Sequence, residues 1–198
     1  LSEIHDETID HPKFTSPQGF YAIGEALGHF LAKQLTYQGH LLCLGETGRR
    51  ITGFIDAIEQ YPDIMLTWHP CSWHRDQAYQ QIKTICAEID VLPHAIFGQS
   101  DPIALAASDV LAEMHPADYT PLIAGTNGDP EALTAILHNR MMATVDISAD
   151  ALSEAVINFA LKTLQGEALP SFFDYQWQIV TADNLAEVSV QKLATIAK

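Results

Sequence analysis

The chain has 198 residues, 47% hydrophobic and 18% charged, with 10 Lys+Arg against 25 Asp+Glu for a formal net charge of -15. That composition suits one sizeable buried core or two small ones and argues against disorder. The negative balance, with no local Lys/Arg cluster, argues against direct contact with nucleic acid. The longest apolar runs, HAIFG and TPLIAG, are too short to cross a bilayer, and no basic segment leading into an apolar one opens the sequence at Leu1, so no membrane partner is expected. Three cysteines, Cys43, Cys71 and Cys86, cannot all pair with one another. Cys43 and Cys86 lie in apolar contexts that suit buried thiols, which favours a reducing compartment, the cytoplasm first, or indifference to redox, over a disulfide scaffold.

After an irregular opening, HPKFTSPQG, the apolar residues Phe20, Ile23, Leu27, Phe30, Leu31 and Leu35 recur at helical spacing over 19–35. The run GHLLCLG reads as a buried strand, followed by a helix near 49–60, a strand over 63–69, a helix near 74–90 and the strand HAIFG. Then come a helix over 102–113, the strand TPLIAG, a helix over 130–139 and the strand MMATVDI. A helix over 149–165 ending at Gly166, the strand YQWQIVT and a terminal helix over 182–197 complete the pattern. Strands alternating with helices predict an α/β fold: a doubly wound, mostly parallel sheet covered on both faces.

In such sheets ligands sit beyond the carboxyl ends of the strands. Two of those loops share a grammar: FGQSDPIAL and AGTNGDPEAL both run glycine, polar residue, Asp, Pro, helix. Asp101 and Asp129 are predicted as N-caps, with Pro102 and Pro130 at the first helical position, where a missing N–H costs nothing. Ser100 and Asn127, just before those caps, are left pointing at whatever lies above the sheet edge.

Ser100 also sits where a hydrolase places its nucleophile, between strand and helix. Its surroundings depart from G-x-S-x-G, since Pro102 replaces the second glycine and removes a donor near a developing oxyanion. His69, Cys71 and His74 in WHPCSWH have metal-ligand chemistry at close spacing, but no second cluster completes a four-ligand zinc site. GETGRRITGF follows a strand and is glycine-rich, yet lacks G-x-G-x-x-G and the P-loop lysine. Of its two arginines, Arg49 and Arg50, helical position sends one toward the cleft and the other to the surface. Trp73, in a polar loop, offers an indole face to the apolar side of a sugar or a flat heterocycle, or else plugs the edge of the fold.

In order and spacing, RRITGFIDAI, AIFGQSDPIALAASDVL, IAGTNGDPEAL, MMATVDISADALSEAV, LQGEALP and QIVTADNLAEV resemble the later part of the type I periplasmic-binding-protein family. That family includes ribose- and galactose-type solute receptors, LacI-type effector domains, and sensor modules fused to bacterial kinases and cyclases. The resemblance implies two α/β lobes clamping a small sugar-like or nucleoside-like molecule, with no catalytic residue, metal or cofactor. It puts Trp73 at the family's ring-stacking aromatic, Ser100 at a ligand-binding Asn, and Asn127 at a ligand-binding Asp. Arg49 or Arg50 falls near a ligand-binding Arg, and Ile147 where a hinge-side Gln often stands. Such a site is less polar and less charged than a typical sugar site.

The same resemblance divides the chain into a second lobe over 1–146, a segment over 147–173 returning to the first lobe, and a final strand with a connector helix over 174–198. Most of the first lobe would precede Leu1. Leu152, Val156, Phe159, Ala160 and Leu164 on the 149–165 helix would then be exposed, folded back, or covered by a second copy in a homodimer. Leu185, Val188, Leu193 and Ile196 line the terminal helix, which resembles the connector into kinase or cyclase modules and reads equally as a helix docking on the sheet. The function implied is a sensor for an attached signalling module, with a LacI-type effector domain or a transport receptor as alternatives.

Overall fold

The computed structural model describes residues 17–114, 119–147, 149–167 and 176–188. Five apolar runs form parallel strands: β1 (Gly39–Leu44), β2 (Ile64–His69), β3 (Ala95–Gly98), β4 (Leu122–Asn127) and β5 (Ala143–Ile147). A sixth, β6 (Trp177–Thr181), joins β5 antiparallel, giving the order β2-β1-β3-β4-β5-β6. β1, β3 and β4 are almost wholly buried, because helices cover both faces of the sheet.

α1 (Pro17–Gln34) and α2 (Arg49–Ile58) lie on one face, over Leu41, Cys43, Phe97, Ala124 and Val145. On the other, α3 (Arg75–Glu88), α4 (Asp101–Met114) and α5 (Pro130–Leu137) cover Leu42, Leu44, Ile96 and Ile123. Phe54 of α2 stacks on Phe97 of β3 with ring centroids 4.1 Å apart.

The α1–α2 seam is closed by small residues. A Cβ at Gly24 would fall 1.9 Å from the Arg50 carbonyl oxygen, and one at Gly53 would fall 2.2 Å from that of Tyr21. The two backbones therefore touch, which fixes where α2 begins and hence where Arg50 stands. On the opposite face, Arg75 reaches Asp109 at 2.7 Å and Glu131 at 2.5 Å, tying α3 to α4 and α5 from outside.

The chain direction reverses its course across the sheet between β1 and β3: α2 carries it outward to β2, and α3 brings it back to β3. The carboxyl ends of β1 and β3 thus flank the point where the strand order reverses, the place where ligands bind in open α/β sheets. α6 (Ala149–Gln165) ends at Gly166, whose φ of +70 suits a residue without a side chain. On α6, Phe159 is buried while Val156, Ile157, Ala160, Leu161 and Leu164 are exposed; the Leu152 side chain lies outside the described residues. Leu185 and Val188, in the helical turn over 185–188, are buried in the core on the α3–α5 side of the sheet, and Leu193 and Ile196 of the predicted terminal helix lie outside the described residues.

Candidate functional site

At the carboxyl end of β1 the chain passes through Gly45, Glu46, Thr47 and Gly48 before α2 starts. Gly45 has a φ of +153, and a Cβ there would fall 2.4 Å from the Gln99 side chain, so only glycine lets this loop lie across Gln99. Of the two arginines, Arg49 is exposed and Arg50 turns inward, 5% exposed. One Arg50 guanidinium nitrogen donates to the Gln99 carbonyl and to Thr126 Oγ1, each at 2.6 Å, and the group lies 5.0 Å from the Phe20 ring centroid. An arginine keeps its charge in such a place, and its planar fork suits simultaneous contact with a ring face and two oxygens.

The β3–α4 turn differs from its sequence reading in one respect. The Ser100 carbonyl accepts from the Ala104 N–H at 3.0 Å, so Ser100 occupies the N-cap position, Asp101 the first helical position and Pro102 the second. Asp101 does not cap its own helix. Its carboxylate accepts from Thr144 Oγ1 at 2.6 Å and from the Asp129 N–H at 2.8 Å, binding the ends of β3, β4 and β5 together. Burial pushes the Asp101 carboxyl up to about 6, despite these donors. Asp129 does precede α5, but its side chain makes no capping bond.

Ser100 is 2% exposed and Gln99 fully buried, yet the Ser100 hydroxyl and both polar atoms of the Gln99 amide have no hydrogen-bond partner among the described residues. Among the described residues no acid–base side chain is hydrogen-bonded to Ser100 Oγ. Asn127 ends β4, half-buried, with a φ of +124, and pairs in register with Asp146. Asp146 is itself 7% exposed. Ile147, half-buried at the end of β5, pairs with Trp177 and packs with the α1–α2 side of the core.

Trp73 stands 42% exposed on the β2–α3 loop, its indole N–H donating to Glu46 Oε2 at 3.1 Å. His74 is exposed and His69 half-buried, whereas Cys71 is buried with its thiol pushed up to about 11. Among the described residues no group of three His, Cys, Asp or Glu side chains is placed to hold a metal ion.

The loops at the carboxyl ends of β1 to β5 thus carry Arg50, Trp73, Ser100, Asn127 and Ile147 at one sheet edge, with Arg49 turned away. Sequence reasoning missed Glu46, Gln99, Thr126 and Asp146. Asp146 gave a signal, a carboxylate inside the apolar run MMATVDI; Gln99 gave one too, as the polar neighbour of Ser100 in the same turn.

The sequence profile of the periplasmic binding protein domain matches residues 14–168. No curated protein matches the sequence. Among solved structures, the chain is similar to the fructose-binding periplasmic domain of a hybrid two-component system (TM-score 0.80, 22% identity, 90% of this chain and 61% of that one). It is also similar to a periplasmic solute-binding protein of an Actinobacillus succinogenes ABC transporter with bound D-allose (TM-score 0.77, 22% identity, 85% and 60% covered). A third is a solute-binding protein of a Mycobacterium smegmatis ABC transporter with bound glycerol (TM-score 0.74, 28% identity, 85% and 60% covered). The chain therefore spans about three-fifths of the length of these structures. Among the described residues no helix is long and apolar enough to cross a membrane. With a profile match over most of its length and this sheet order, the chain belongs to the periplasmic binding protein domain family.

Proposed function

We propose that the chain is the second lobe, with its returning segment, of a two-lobe receptor that binds a small neutral polyol or sugar without transforming it. It would report closure to an attached signalling module. The observation that carries this reading is the pair of buried, partnerless polar side chains, Gln99 and Ser100, at the carboxyl edge of a parallel sheet. A buried hydroxyl or amide left unpaired costs about 1–3 kcal/mol, and a ligand that pairs it recovers that cost on binding. In this reading Ser100, Asn127 and Arg50 supply hydrogen bonds, Trp73 a stacking face and Ile147 an apolar wall.

A ligand bridging two lobes binds the closed state better and shifts the population toward it. Leu185 and Val188, seated in the core, would anchor the predicted terminal helix to this lobe, and closure would be passed on through it. A transport receptor is the second reading, supported by the two transporter-associated structures to which the chain is similar.

The test is thermal shift and tryptophan fluorescence with D-allose, D-fructose, myo-inositol, glycerol and a set of nucleosides, with Trp73→Ala alongside. A ligand at a hundred times its dissociation constant should add about 2.7 kcal/mol of stability. A hit lost in Trp73→Ala supports the reading; no shift with any compound by a folded protein overturns it.

A further inference from the structure

Two tryptophans, Trp68 on β2 and Trp73 on the loop that follows it, donate their indole N–H groups to the same short loop. Trp68 donates to the Gly45 carbonyl at 3.0 Å, and Trp73 to Glu46 Oε2 at 3.1 Å. Gly45 and Glu46 are neighbours, so the backbone beside Glu46 is anchored independently of Trp73. The loop carrying Trp73 is anchored as well, from α3: the Ser72 N–H donates to Gln81 Oε1 and its hydroxyl to Gln77 Oε1, each at 2.8 Å, while the His74 N–H donates to Ser72 Oγ at 3.2 Å. Backbone is pinned on both sides of Trp73. What remains free is the rotation of the indole about its two side-chain torsions, and the bond to Glu46 is the polar contact that fixes it.

We propose that Glu46 is a positioning residue: it holds the half-exposed Trp73 ring as a preformed platform, so that the ligand meets a ring face already oriented. This rests on the binding function proposed above and deepens it toward ligand class. Because the indole N–H is spent on Glu46, Trp73 offers a ligand its π-face and no donor. A π-face discriminates by the flat, apolar C–H side of a ring. The site therefore takes cyclic polyols, pyranose or cyclitol, in preference to acyclic ones that have no such face. Fixing the platform beforehand removes an ordering cost from binding.

The experiment compares Glu46→Ala, which has no acceptor, with Glu46→Gln, which keeps one, in the full chain. The three tryptophans give three indole N–H signals in a proton–nitrogen NMR spectrum, with Trp73 assigned by its loss in Trp73→Phe. Glu46→Ala should move the Trp73 signal and speed its exchange with solvent about tenfold, while the Trp68 signal stays; Glu46→Gln should keep both near the native values. Affinity for myo-inositol and D-fructose should fall about tenfold in Glu46→Ala and stay within about twofold in Glu46→Gln, with glycerol binding, where present, unaffected by either. An unmoved Trp73 signal in Glu46→Ala overturns the proposal, as does an equal loss of affinity in both variants, which would assign the effect to charge rather than position. If the native chain binds glycerol but none of the cyclic probes, the preference for cyclic ligands is overturned; if it binds no compound at all while the Trp73 signal responds as expected, the function proposed above is overturned, and the preference with it.

Discussion

The two edges of the same parallel sheet both bury polar side chains, and they treat them differently. At the amino edge, His40 is 4% exposed and fully engaged: Nδ1 lies 3.0 Å from the Val91 carbonyl and Nε2 2.9 Å from Thr67 Oγ1. One ring nitrogen donates and the other accepts, which is all a neutral imidazole can do. Tyr119 likewise donates its hydroxyl to the Pro93 carbonyl at 2.6 Å. At the carboxyl edge, Thr126, Thr144 and Asp101 are satisfied by neighbouring residues, but among the described residues the side chains of Gln99 and Ser100 find no partner. The amino edge spends its polar groups on holding loops together, whereas the carboxyl edge withholds two from the fold. A fold that leaves hydrogen-bonding capacity unused at one end gives up stability there, and such sites are where function is found.

The largest expected effect lies in the part of the carboxyl edge that is satisfied. The Asp101 carboxyl, ordinarily near 3.8, is held up to about 6 by burial. The native chain then keeps a proton that the unfolded chain releases. Its contribution to stability is fully present below about pH 4 and is lost as pH rises through about 6, by about 3 kcal/mol in all. Asp101→Asn has no proton to lose. Unfolding free energies from urea titrations should therefore show the native chain losing about 3 kcal/mol more than Asp101→Asn between pH 4 and 7. Parallel curves would mean that the Thr144 and Asp129 donors fully offset the burial of the carboxylate, leaving it as comfortable at this edge as a solvated one.

At the amino edge the sign reverses. Burial lowers the proton affinity of His40 below its ordinary 6.5, and the nearby His94 adds to the effect. The unfolded chain takes up the proton first, so this group's stabilisation is present above about pH 6.5 and is lost as pH falls through and below it. His40→Ala should cost about 2 kcal/mol at pH 7.5 by leaving the Thr67 hydroxyl and the Val91 carbonyl without their partner. His40→Gln should flatten the acid side of the stability curve. Neither should alter ligand affinity, measured by titration calorimetry; a binding loss in a folded His40 variant would show that the two edges are coupled.

The elements themselves were legible in the sequence because their signals are local: apolar runs for strands, helical spacing for helices, and Gly-Asp-Pro punctuation between them. Ser100 and Asn127 stood out for the same reason, as polar residues wedged between a strand and a helix start. What Asp101 does was not legible, since a carboxylate before a proline reads as a cap, while its acceptance from Thr144 and Asp129 depends on residues 43 and 28 positions away. Glu46 was equally hidden. Nothing in GETGRR separates it from an ordinary surface acid until Trp73 arrives from the neighbouring loop. The choice between Arg49 and Arg50 was set by Gly24, whose missing side chain lets α1 seat α2 in one rotation.

Ser100→Ala gives the smallest change in stability and the sharpest test of the comparison. Removing a buried hydroxyl that has a partner costs about 1 kcal/mol, whereas removing one that has none relieves a desolvation cost and leaves no group stranded. The native contacts of Ser100 run through its backbone carbonyl, which accepts from Ala104 and survives the substitution. Denaturant unfolding should therefore place Ser100→Ala within about 0.5 kcal/mol of the native chain, on the stable side if it differs. Affinity for a ligand that uses the hydroxyl should fall about tenfold, the loss of one hydrogen bond of about 1.4 kcal/mol. Stability and binding would then move apart at this position while at His40 stability alone moves. If Ser100→Ala instead destabilises the fold by more than about 1 kcal/mol, the hydroxyl already has a structural task, and the carboxyl edge is built on the same terms as the amino edge.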